Sequence, residues 1–107
     1  MEDYEERVDA HVRAVATRLP FAVELFADVA GPNMLQINLG HRGGSDDAPD
    51  SASIDPTFKP ATWIIDIEGG RNDIGSTYGL ETDPAVVAFW IAEQALQLGC
   101  PAAQVDG

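Results

Sequence analysis

Cysteine is nearly missing from this chain: Cys100 is the only one in 107 residues. That excludes an internal disulfide and leaves a structural zinc site without its usual thiolate pairs, so a reducing compartment is the simple reading. Basic residues are scarce too. Lys and Arg together number 6 against 18 Asp and Glu, and Lys59 is the only lysine. Direct binding to a phosphate backbone, which needs clustered Lys and Arg to release counterions, is therefore disfavoured. No apolar run approaches the ~18 residues of a membrane span. The opening Met1-Glu2-Asp3-Tyr4-Glu5-Glu6 is acidic where a secretory signal carries basic residues ahead of an apolar stretch. A cytoplasmic protein with no membrane contact is expected.

What is present is a hydrophobic fraction of 45%, enough for a packed core, and a formal net charge of −12. One acidic domain over residues 1–107 is expected. Three readings of the acidity stand side by side: solvation in a salt-adapted chain, a negative surface shaped for a basic partner, and a compositional habit of a GC-rich genome.

From Asp3 to Leu19, Tyr4, Val8, His11, Val12, Val15 and Leu19 recur at three- and four-residue steps, which predicts an amphipathic helix stopped by Pro20. Phe21 to Ala30 then alternates with period two, as does Leu35 to Gly40, with Gly31-Pro32-Asn33 between them. A hairpin follows from this pattern. An odd number of loop residues places Leu25, Ala27 and Val29 on the face of Leu35, Ile37 and Leu39. Residues from about 42 to 60 read as a long mobile loop rich in Gly, Ser, Asp and Pro. Ala61 to Glu68 alternates again and predicts a third strand with Trp63, Ile65 and Ile67 inward. Gly69 to Gly75 reads as a break, and Ser76 to Leu80 as a short extension or a fourth edge strand. Asp83 as N-cap, Pro84 at the first helical position and Gly99-Cys100-Pro101 as a stop predict a final helix over Pro84–Leu98.

The expected fold is α+β: helix-strand-strand-strand-helix, with a three-stranded antiparallel sheet, four-stranded in the alternative, and both helices on one face. Double-stranded RNA-binding domains share this order. However, Glu81-Thr82-Asp83-Pro84 stands where they present phosphate-gripping cations, so direct nucleic-acid binding is not expected.

Catalytic motifs are wanting. Cys100 follows a helix C-terminus, whose dipole raises a thiol pKa, and reads as a small buried hydrophobe. His11 and His41 have no spacing that unites them. Asp46, Asp47, Asp50 and Asp55 lack the glycine and final glutamate of an EF-hand, and Gly69-Gly70 precedes no phosphate-binding Lys. Asp66 and Glu68 lie about 7 Å apart on one strand face, which is common on solvated strands. No enzyme, cofactor or metal is expected.

A surface remains. Alternation turns Glu24, Phe26, Asp28, Gln36, Asn38, Ile64, Asp66 and Glu68 away from the core, and acidic residues around apolar ones suit a binding face, joined by Asp46, Asp47 and Asp50 of the loop. On the last helix Val86 and Trp90 fall outside the core arc of Val87, Ile91, Ala95 and Leu98, where they form a candidate homodimer contact. The expected function is non-catalytic: an acidic inhibitor or antagonist of a basic, nucleic-acid-handling protein. It would act either as a nucleic-acid mimic that counters a defence system or as an immunity protein that neutralises a toxin. A small homo-oligomeric adaptor whose acidity serves solubility is the alternative.

Overall fold

Val8, His11, Val12, Val15 and Leu19 form one stripe along α1 (Tyr4–Thr17) and its exit, and all five are buried against the sheet. The opposite side of the helix is solvated, with Arg13 Nε on Asp9 Oδ2 at 2.9 Å one turn away. Its last carbonyls find side-chain donors. Thr17 Oγ1 and the Arg18 guanidinium both donate to the Ala14 carbonyl at 2.9 Å, and Pro20 follows. The computed structural model describes residues 4–27, 35–41, 49–54, 61–67 and 72–104.

Five strands follow, β1 (Glu24–Ala27), β2 (Leu35–Gly40), β3 (Asp50–Ile54), β4 (Trp63–Ile67) and β5 (Asn72–Gly75), paired antiparallel in chain order as one open sheet. The hairpin parity read from the sequence holds: Leu25 pairs with Ile37 and Ala27 with Leu35. Residues 28–34, which include the proposed turn, lie outside the described residues. Two strands depart from expectation. β3 sits inside the segment read as a loop over 42–60, and β5 occupies the stretch read as a break. Ser76 to Leu80 is a connection rather than a strand, although Trp63 donates its backbone N–H to the Tyr78 carbonyl at 2.8 Å and accepts one from Ser76 at 3.1 Å.

β3 forms because its neighbours on both sides impose it. Ala52 pairs with Ile37 of β2 and Ile65 of β4, in a row that runs Leu25, Ile37, Ala52, Ile65, Ile74 across all five strands. Ala52, the small side chain at its centre, is fully buried, and α1 packs on β2 and β3. Gly40 marks an irregularity in the β2–β3 register. Its φ of +105° is left-handed territory, and a Cβ there would stand 2.7 Å from Pro101 Cβ in the closing 3-10 helix (Pro101–Gln104).

α2 (Pro84–Leu98) has the ends its sequence announces. Asp83 Oδ1 accepts the Ala85 N–H at 2.9 Å, and Gly99 is left-handed at φ 74°. The Cys100 and Gly99 N–H groups return to the Ala95 and Leu96 carbonyls at 2.9 and 3.3 Å, which closes a Schellman-type end over the buried Cys100. Val87, Ala88, Ile91 and Ala95 join the α1 stripe and the inward side chains of the sheet in one core, with α1 in contact with β2, β3 and α2. Each of the large aliphatic side chains so buried contributes roughly 1.5–3 kcal/mol. Among the described residues no helix is long and apolar enough to cross a membrane.

Candidate protein-binding face

The side of the sheet away from the helices carries a second row, one residue out of phase with the apolar one. Register places Glu24 opposite Asn38, Asn38 opposite Ser51, Ser51 opposite Asp66 and Asp66 opposite Asp73, so one polar line crosses all five strands. At about 4.8 Å per strand the line spans roughly 19 Å. Glu24 and Asp73 are exposed at its ends, Asn38 and Asp66 are half-buried, and Ser51 at its centre is buried. Asp66 and Asp73 stand opposite each other in the register, and Asp66 is not without a partner. Beside this line lie Phe26, opposite Gln36, and Ile64, opposite Gly75, with both apolar side chains half-buried.

The cations are elsewhere. Among the described residues the only Lys or Arg are Arg7 and Arg13 on α1 and Arg18 just beyond it, all exposed on the helical layer. Where β1 begins and β2 ends, a recess of about 410 Å³ opens beside the polar line, lined by Glu24, Asn38, Gly40, His41 and Ala102 among others. Glu24 and Asn38 belong to both features.

Of the residues singled out from the sequence, Glu24, Phe26, Ile64 and Asp66 thus share the open face. Asp28, Glu68, Asp46 and Asp47 lie outside the described residues. Asp50 is a correction: it is no loop carboxylate but the first residue of β3, on the parity of Ala52 and Ile54 and fully buried. It is not without a partner there, and it is no candidate for an exposed contact. Asp73 is the residue sequence reasoning missed, because Asn-Asp-Ile-Gly has the composition of a turn. The pairing register that brings it opposite Asp66 has no signature in the local sequence.

His11 and His41 are far apart in role. His11 is buried and its Nε2 accepts the indole N–H of Trp63 at 3.0 Å, the rings 5.7 Å apart. Burial pulls its pKa below the ordinary 6.5. His41 is exposed at the end of β2. No group of three His, Cys, Asp or Glu among the described residues could hold a metal ion.

On α2, Val86 is 45% exposed, while Trp90 is half-buried with its ring edge-on to Tyr78 at 5.9 Å. Phe89 and Leu96, which the helical wheel did not single out, are 71% and 61% exposed. Compared with protein-family models, curated proteins and solved structures, the chain matches none.

Proposed function

We propose that this chain is a non-catalytic binding domain whose open, acidic sheet face takes a basic protein, as an inhibitor or antagonist of a nucleic-acid-handling partner does. The observation that carries this reading is the polar line from Glu24 to Asp73, out of phase with the core row, exposed at both ends and buried at Ser51, with the described cations all on or just beyond α1. Charge of one sign steers encounter with a basic surface, and a fixed row of carboxylates and amide groups accepts its Arg and Lys donors. Phe26 and Ile64 supply apolar area beside the charges, the combination from which interface cores are made. The recess where β1 begins and β2 ends counts Glu24 among its lining residues, which sets an acidic residue beside it.

The test is capture. The wild-type chain immobilised in low salt should retain basic proteins from a bacterial lysate and release them as salt rises, and Glu24→Lys with Asp66→Lys should abolish retention while circular dichroism shows the variant still folded. Salt-independent retention, or retention by the folded double variant, would exclude this face.

A further inference from the structure

β1 is the first strand of the sheet, and among the described residues it pairs with β2 alone. Its other edge presents backbone N–H and C=O groups at the repeat that a further strand matches. α1 packs on β2 and β3, one strand further in. Between the last turns of α1 and β1 runs a groove of about 690 Å³, with Ala16, Leu19, Phe21, Val23 and Leu25 among its walls. Phe21, Val23 and Leu25 pack against the core and stay half-buried.

We propose that this edge takes an extended segment of the partner as a sixth strand, one that alternates apolar and cationic residues. This docking mode rests on the chain's being a binder of a basic protein, and it says which part of that protein is held.

Three features set the alternation. Leu25 heads the apolar row that crosses the sheet through Ile37, Ala52, Ile65 and Ile74, and a strand added beside it continues that row over the groove. Glu24, the preceding residue, is exposed and heads the polar line, so the intervening residues of the added strand stand beside a carboxylate. Arg13 lines the groove, its Nε on Asp9 Oδ2 at 2.9 Å, and keeps further cations off the apolar side. Apolar residues therefore face the groove, and Arg or Lys faces Glu24.

Charge selects among strands. A second copy of β1 brings another Glu24, and a net charge of −12 against the same charge. A segment with a cation at every other position reverses that sign and is drawn to the edge. Main-chain hydrogen bonds then supply affinity, and the alternate side chains supply selection.

Two peptides of equal length separate this mode from general attraction to an acidic surface. One alternates arginine and valine, and the other has the same composition with all the arginines ahead of the valines. Titrated into the full chain by calorimetry at about 0.1 M salt, the alternating peptide should bind at least about tenfold more tightly, because it alone fills the groove and faces Glu24 at once. Successive residues of a strand point their N–H groups to opposite edges. N-methylation of the alternating peptide should therefore weaken binding at least about tenfold when placed on one residue type and little when placed on the other. Hydrogen exchange should slow at least about tenfold at the outward β1 amides and stay unchanged at those bonded to β2.

Equal affinity of the two peptides, or equal weakening by N-methylation on either residue type, would overturn strand addition while leaving the acidic face as a binding surface. Failure of both peptides to bind would remove that surface as well. Protection of β1 that appears without peptide and grows with protein concentration would overturn the assignment in favour of a second copy.

Discussion

The hydrogen bond from the Trp63 indole N–H to His11 Nε2, 3.0 Å long and buried between α1 and β4, requires the imidazole to be neutral at that nitrogen. Protonation turns an acceptor into a second donor aimed at the first and places a charge in the core. The folded state therefore resists the proton, which is the direction in which burial moves this group, below 6.5. The unfolded chain takes it up at the ordinary value. Stability from this source is complete above pH 6.5 and is lost as pH falls through 6.5 toward the lowered folded value. If the folded state binds no proton at all, the loss at pH 5.5 reaches about 1.4 kcal/mol, since one pKa unit corresponds to about that much. Urea unfolding followed by tryptophan fluorescence at pH 7.5 and 5.5 measures the loss. His11→Gln supplies the control, because its amide oxygen can accept the same indole N–H but does not titrate. Wild type should lose about 1 kcal/mol more than His11→Gln between the two pH values. Parallel losses in the two proteins would refute the reasoning and show that the bond does not depend on the protonation state of His11.

Gly40→Ala should destabilise the fold by about 1–3 kcal/mol in the same urea assay, since it forces an L side chain into φ +105° and against Pro101. Asp83→Ala should cost about 1 kcal/mol by removing the acceptor for the Ala85 N–H, read as a lower melting temperature.

Those parts of the fold whose local chemistry is self-sufficient were legible in the sequence. Asp83-Pro84 and Gly99 delimit α2 because N-cap, first-turn proline and left-handed C-cap act within a few residues of themselves. The stripe from Val8 to Leu19 likewise fixes the buried side of α1. β3 was hidden because Asp-Ser-Ala-Ser-Ile has low strand preference. It is extended on account of Ile37 and Ile65 on its flanks, a tertiary cause with no local trace. The same blindness placed Asp50 on a solvated loop instead of in the core. Three of the five residues of the polar line could be read from alternation, which sent Glu24, Asn38 and Asp66 outward together. The other two, Ser51 and Asp73, depended on strands that the composition disguised as turn. On α2, apolar residues surround the helix, so a wheel centred on Val87, Ile91 and Ala95 left the exposure of Phe89 and Leu96 unseen.

The claim that the open face, and not the net charge alone, takes a basic partner is tested most directly by two charge-matched variants. Glu24→Lys with Asp66→Lys reverses the polar line, and Glu6→Lys with Glu81→Lys raises the net charge equally at exposed sites on and before the helices. Titration of an arginine-rich peptide into each folded protein by calorimetry at low salt compares them. The face variant should lose at least about tenfold more affinity than the control, a difference of about 1.4 kcal/mol. Equal losses in the two variants would contradict the account, because the attraction would then belong to the charge of the whole chain and to no particular face.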